Sequence, residues 1–121
     1  MRRAEEIIRR YPALANLPIA VVNGRVYTLR ELVELAKRGV AWAIQKLESA
    51  GLDPSPNELK LLAAEFWRRM PRNQMLVVLG PLATYVVSGE EAARQILSNG
   101  PLAPLLTDIY LEMLRRVRLG A

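Results

Sequence analysis

The chain has 121 residues, 51% of them hydrophobic, which is enough for one domain that buries its own core. It contains no cysteine and no histidine, which excludes disulfides, Cys/His zinc sites, thiol nucleophiles and imidazole bases. Its 17 Lys and Arg residues against 12 Asp and Glu give a net charge of +5, and 14 of the 17 are arginine. Guanidinium groups suit bidentate phosphate contacts and stacking on flat rings. The composition therefore admits a nucleic-acid-binding protein, although a thermophilic or GC-rich composition bias explains the arginines equally well.

Charges of both signs alternate over residues 1–10, and no apolar signal segment follows them, so we expect a cytoplasmic protein. The most apolar stretch, Met75 to Val87, is shorter than the roughly 20 residues that span a bilayer. We expect it to form a buried hairpin, with no membrane partner. The missing cysteine, the eight prolines and the many Arg and Glu residues are typical of thermophile proteins.

The first half of the chain predicts a short helix, a β-hairpin and a long helix. Residues 2–10 place Glu and Arg one helical turn apart. Residues 19–27 are two β-prone runs around Asn23-Gly24, the pair that best tolerates the positive φ angles of a type I′ turn. Thr28 and Glu31 form a capping-box pattern. An apolar stripe predicts that the helix they start continues to about Gly51, with the stripe at positions 29, 32, 33, 36, 40, 43, 44 and 47.

The second half predicts the same order of elements, and capping-box patterns recur at Ser55 and at Ser88. The elements are a helix over 56–70, a hairpin over 74–87 around Gly80-Pro81, a helix from 89 that Asn99-Gly100 ends, and a helix over 102–118. We therefore expect a single α+β domain over residues 1–121. In it, the two hairpins form one four-stranded antiparallel sheet flanked by four to five helices.

One candidate ligand surface lies on the first hairpin. Pairing through an Asn-Gly turn sets Val22 opposite Arg25 and Ala20 opposite Tyr27. Alternation then places Arg25 and Tyr27 together on the face that points away from the core, where a base could stack and its phosphate be held. The alternative is that a helix covers this face and that Tyr27 belongs to the core.

A second candidate surface follows Phe66, where Trp67, Arg68, Arg69 and Arg72 come without an intervening acidic residue. Trp67 lies one position off the apolar stripe of its helix, which predicts an exposed or groove-lining ring, and Trp42 is displaced in the same way from its own stripe. Both tryptophans could instead form further packing faces or a dimer contact. Because Trp42 and Leu35 stand seven residues apart outside the main stripe and need some cover, we expect the protein to associate with itself. Three or four phosphate contacts on a single strand imply a slope of log K against log salt of about −2 to −3.

Catalytic patterns are missing from the sequence. The acidic residues occupy first helical turns and amphipathic faces, so they indicate no acid/base pair, and no glycine-rich phosphate loop is present. We expect a protein that is not an enzyme and that has no catalytic residue, no metal, no cofactor and no small-molecule substrate.

In architecture, size and composition, this chain of helices and two hairpins resembles the archaeal single-stranded DNA-binding family related to ThermoDBP. The resemblance covers nearly the whole chain and matches no individual contact residue. It implies a four-stranded antiparallel sheet, binding of single strands with little sequence preference in an aromatic and basic cleft, and self-association.

Two functional hypotheses follow. In the first, the protein binds single-stranded DNA or RNA; Tyr27, Trp67 and Trp42 stack on bases, and Arg25, Arg68, Arg69 and Arg72 contact phosphate. In the second, it is a protein–protein adaptor or a small homo-oligomer that does not bind nucleic acid, and Trp42, Trp67, Leu35 and Leu61 form its subunit interface. Convergence of the arginines and the aromatic residues in one groove favours the first hypothesis.

Overall fold

The computed structural model describes residues 2–48, 54–79 and 81–117. It is an α+β fold, as expected. The described elements are α1 (Arg2–Arg10), a 3₁₀ helix (Pro12–Asn16), β1 (Pro18–Val22), β2 (Arg25–Thr28), α2 (Leu29–Lys37), α3 (Ala41–Glu48), α4 (Pro56–Arg68), β3 (Leu76–Leu79), β4 (Thr84–Val87), α5 (Gly89–Leu97) and α6 (Ala103–Arg115). The predicted Gly51 helix end, Gly80 of the second turn and Arg118 lie outside the described residues.

The first hairpin has the predicted register. Ala20 pairs with Tyr27 and Val22 with Arg25, and Asn23 and Gly24 have φ angles of 53° and 78°, as a type I′ turn requires. Ala20, predicted on the outer face, is buried, because α4 packs against β1 and an irregularity between Pro18 and Ala20 shifts the pairing.

The predicted long helix after Thr28 is two helices, α2 and α3, separated at Gly39. Gly39 adopts a φ of +84°. Its N–H bonds to the carbonyl of Ala36 at 3.0 Å, and the N–H of Val40 bonds to that of Leu35 at 3.1 Å. This is the Schellman arrangement that ends a helix. The apolar stripe was unable to reveal the break because it continues in phase on both sides of Gly39.

Replacing Gly39 with alanine should lower the free energy of unfolding by about 1–2 kcal/mol, because a Cβ atom is strained at positive φ. We expect no additional steric cost, since a Cβ at this position would meet no atom within 4 Å. Gly39→Asn should cost less, because Asn99 adopts a φ of 54° at the equivalent end of α5. Urea unfolding measures both changes, and equal losses for alanine and asparagine would contradict the assignment.

The single four-stranded sheet is not found in the described part of the chain. β1 pairs only with β2, and β3 only with β4, in two separate antiparallel hairpins. The reason lies in the helices: α4 packs against β1 and β2, and α5 against β4. Each hairpin therefore has a helix against its inner face and does not need the other hairpin to cover it.

The second hairpin is exposed, so the expectation of a buried hairpin is wrong. Of its strand residues, Val78 and Val87 are buried, whereas Val77 and Leu79 are exposed. The main core lies instead around α4, between β1 on one side and α5 and α6 on the other. Among the described helices, none is long and apolar enough to cross a membrane.

Candidate functional site

A groove lies between the first hairpin and the α2–α3 pair, and we call it the β2–α3 groove. It is open, has a volume of about 380 Å³, and is lined by Arg25, Tyr27, Glu31, Glu34, Leu35, Arg38, Val40 and Trp42. Local sequence explains how these residues meet. The Asn-Gly turn sets Arg25 and Tyr27 on β2, and the Thr28 cap starts α2 immediately afterwards, with Glu31, Glu34 and Arg38 on one helix side. The Gly39 break then redirects the chain so that Trp42 faces Tyr27.

Two aromatic rings form the wall of the groove. The ring centroids of Tyr27 and Trp42 lie 5.1 Å apart, and their planes meet at 61°, an edge-to-face contact. Both residues are half-buried. The guanidinium carbon of Arg25 lies 4.9 Å from the Tyr27 centroid, within cation–π range. The groove therefore already holds one flat group against an aromatic face.

The charges that line the groove balance. Arg25 pairs with Glu31 at 3.5 Å, and Glu31 also accepts the backbone N–H of Thr28 at 3.0 Å. Glu34 and Arg38 form no ion pair with any residue in the described ranges. Two arginines and two glutamates thus give a zwitterionic lining, in which the Arg38 guanidinium is available to a ligand.

Comparison with protein-family models, with curated proteins and with solved structures finds no match to this chain. The resemblance to the ThermoDBP-related family stays a prediction. The ligand of the β2–α3 groove is therefore inferred from the geometry of the groove itself.

The structure does not place Trp67 where the sequence predicted. Trp67 is 6% exposed, and its indole N–H donates to the carbonyl of Leu106 at 3.0 Å. The expectation of an exposed ring is wrong because α4 has a second packing face. Gly89 lets the start of α5 approach so closely that a Cβ there would lie 2.2 Å from the Trp67 carbonyl oxygen. Phe66, predicted on the buried stripe, is the half-buried member of the pair.

The three arginines that follow Trp67 lie outside the β2–α3 groove. Arg68 and Arg69 both pair with Glu65, at 3.3 Å and 3.1 Å. Arg72 lies exposed in the turn after α4 and forms no ion pair in the described part of the chain. The seven predicted ligand residues therefore separate into a convergent set of Arg25, Tyr27 and Trp42 and a set of four around the end of α4.

The residues of the rival subunit interface do not form one patch. Leu35 and Trp42 line the groove, Trp67 is buried, and Leu61 is exposed on α4. The sequence also failed to assign Arg38 and Glu34 to a site. Arg38 and Glu34 lie four and eight residues before Trp42, a spacing that could have indicated a shared site. That spacing alone was not sufficient, because the three residues meet through the turn at Gly39.

Proposed function

We propose that the protein binds single-stranded nucleic acid without catalysing a reaction, and that the β2–α3 groove receives a nucleotide of the strand. One observation supports this most: Arg25 and Tyr27 on β2 meet Trp42 on α3 in one groove. The sequence predicted these three residues for stacking and phosphate contact, and they meet beside Arg38, which forms no ion pair within the described residues. A volume of about 380 Å³ is in the range of sites that hold small organic ligands, roughly 300–1,000 Å³.

The existing contacts of Arg25 do not block a base. Its ion pair with Glu31 is solvent-exposed, and exposed pairs contribute about 0.2–1 kcal/mol. Stacking of a base on an aromatic side chain contributes roughly 1–3 kcal/mol. Moving away also costs Arg25 its cation–π contact with Tyr27, about 0.5–1 kcal/mol at an exposed site. Stacking of a base on the Tyr27 or the Trp42 ring is large enough to offset both losses, and the released guanidinium can bind the neighbouring phosphate.

The lining favours single strands over duplex. Stacking needs an open base face, which a duplex hides between neighbouring base pairs. Because Glu31 and Glu34 offset the two arginines, most of the binding free energy should come from stacking. Two phosphate contacts on a single strand predict a slope of log K against log salt of about −1.4. A slope of about −2 to −3 would indicate that Arg68, Arg69 or Arg72 also contacts the strand.

Substitution of Arg38 should show whether phosphate is bound in the β2–α3 groove or by the arginines at the end of α4. Fluorescence anisotropy of labelled oligo-dT, poly-U and a duplex over a salt series measures affinity and slope together. Arg38→Gln should lower the affinity for oligo-dT and reduce the magnitude of the slope by about 0.7, because one phosphate contact is lost. Arg72→Gln is the matched control, since it removes the same charge from the other cluster.

The proposal fails in any of three outcomes. The first is that Arg72→Gln weakens binding while Arg38→Gln leaves affinity and slope unchanged, which would move the site to the end of α4. The second is that the duplex binds as tightly as oligo-dT. The third is that neither single strand binds at low salt.

A further inference from the structure

The β3–β4 hairpin has an exposed and mostly apolar face on the side that points away from the core. Cross-strand pairs put Val77 beside Val86 and Leu79 beside Thr84 on one face, and we call these four residues the hairpin face. Val77 and Val86 are each 57% exposed, and Leu79 is 81% exposed. Leu82 in the connecting segment is 97% exposed. The opposite face holds the buried Val78 and Val87, so alternation along the strands explains which side is uncovered.

The hairpin also lacks the charges that normally protect an open strand pair. Edge strands of natural sheets carry lysine, other charged residues or bulges that discourage pairing with another chain. Residues 73–89 contain no charged residue, in a chain that is 24% charged overall. The first hairpin, by contrast, carries Arg25 on β2. Seventeen consecutive uncharged residues in a chain of ordinary charge content indicate a surface that is covered when the protein functions.

The uncovered area is large enough for an interface. Five apolar side chains of the outer face and the connecting segment are 54–97% exposed, namely Met75, Val77, Leu79, Leu82 and Val86. Together they present on the order of 500 Å² of apolar surface, which is the scale of the largest, often functional patch of a monomer. With the surrounding backbone and rim, this approaches the roughly 800 Å² that each partner contributes to a standard interface.

We propose that the hairpin face packs against the same face of a second copy, related by a two-fold axis. In such an isologous contact the same patch is buried on both copies, and residues close to the two-fold axis meet their own symmetry mates, so a charge at the centre of the patch would meet a like charge. This chain carries +5, and two copies repel one another over most of their surfaces. The hairpin is where two copies can approach without that repulsion. A nucleic acid or an acidic partner would find no cation on it.

The predicted interface differs in position from the β2–α3 groove. None of the groove-lining residues belongs to β3 or β4. The proposed contact therefore uses no groove-lining residue, and self-association does not depend on the proposed nucleic-acid binding.

Charge substitution on the hairpin face tests the proposal by sedimentation equilibrium of the full chain. The unmodified protein should sediment at twice the mass of one chain at micromolar concentration. Val77→Lys combined with Val86→Lys should raise the dimer dissociation constant at least about 100-fold, and so should Val77→Glu combined with Val86→Glu. An equimolar mixture of the Lys and Glu variants should form dimers again, because opposite charges then face each other. Both residues are exposed, so circular dichroism should confirm that the variants stay folded.

Leu61→Lys is the control, because Leu61 is 44% exposed on α4, outside the hairpin face; it should remain dimeric. A monomeric unmodified protein overturns the proposal. So does a dimer that the Lys and Glu variants do not weaken, or a mixture that stays monomeric. A monomer that binds vesicles of phosphatidylcholine and phosphatidylglycerol would likewise overturn the proposal and would show that the hairpin face contacts lipid.

Discussion

Replacing Trp67 with alanine is expected to lower the free energy of unfolding by about 3–5 kcal/mol, the cost of truncating a large buried aromatic side chain. Two losses contribute. The side chain leaves a cavity between α4 and the α5–α6 pair, and the carbonyl of Leu106 loses the indole N–H that it accepts at 3.0 Å. Because Leu106 lies inside α6, its carbonyl keeps the intrahelical N–H four residues on, so the cavity accounts for the larger part of the loss.

Trp42→Ala is the matched control, since it removes the same side chain from a half-buried position. Urea unfolding at one fixed protein concentration compares the two variants, because association of the chains would make stability depend on concentration. We expect Trp67→Ala to have the clearly larger effect. A loss below about 1 kcal/mol for Trp67→Ala, or a larger loss for Trp42→Ala, would contradict the placement of Trp67 in the core.

Tyr110 should make the protein sensitive to alkaline pH. Its side chain is fully buried, and its hydroxyl donates to the carbonyl of Pro18 at 2.5 Å, which joins α6 to β1. Burial raises the pKa of the Tyr110 phenol above its usual value near 10. Above that value the unfolded chain loses the proton while the folded chain keeps it, so stability is fully present below about pH 10 and falls as the pH rises toward the folded pKa.

Tyr110→Phe separates the two roles of this hydroxyl. At neutral pH it should lower the free energy of unfolding by about 1–3 kcal/mol, because the Pro18 carbonyl is left without its donor. Above about pH 10 its stability should decline less steeply than that of the unmodified protein. Urea unfolding at a series of pH values gives both quantities, with Tyr11→Phe, an exposed position, as control. Parallel alkaline declines for Tyr110→Phe and the unmodified protein would contradict this account.

Local signals in the sequence predicted the elements whose causes are local. The type I′ turn at Asn23-Gly24 and the strand register around it are confirmed, as are the complete capping boxes at Thr28 and Ser55. At Ser88 only the side-chain half of the box forms, and the Glu91 carboxylate pairs with Arg94 at 3.3 Å.

Features that depend on which elements pack together were not predictable in the same way. A helical stripe identifies one buried face, but α4 has two, and the second one buries Trp67. The arrangement of the hairpins also depended on helices: α4 and α5 cover them separately, so no common sheet forms in the described residues.

The candidate site was predicted in part. Arg25, Tyr27 and Trp42 meet as the first hypothesis required, whereas Arg68, Arg69 and Arg72 lie elsewhere. The contribution of Arg38 depends on the turn at Gly39, which an uninterrupted apolar stripe concealed. The register of the first hairpin therefore predicted Arg25 and Tyr27, whereas the break between α2 and α3, which brings Trp42 and Arg38 to the same groove, was not predictable from the stripe.

The emission of Trp42 tests the central claim most directly. The chain has two tryptophans, so Trp67→Phe leaves Trp42 as the sole indole reporter, inside the β2–α3 groove. Titration with oligo-dT at low salt should quench its fluorescence saturably, because a base stacks against the ring, and Arg38→Gln should shift that titration to higher oligonucleotide concentration. If oligo-dT binds by anisotropy but leaves the Trp42 emission unchanged, or does not bind at all, the groove is not the nucleic-acid site.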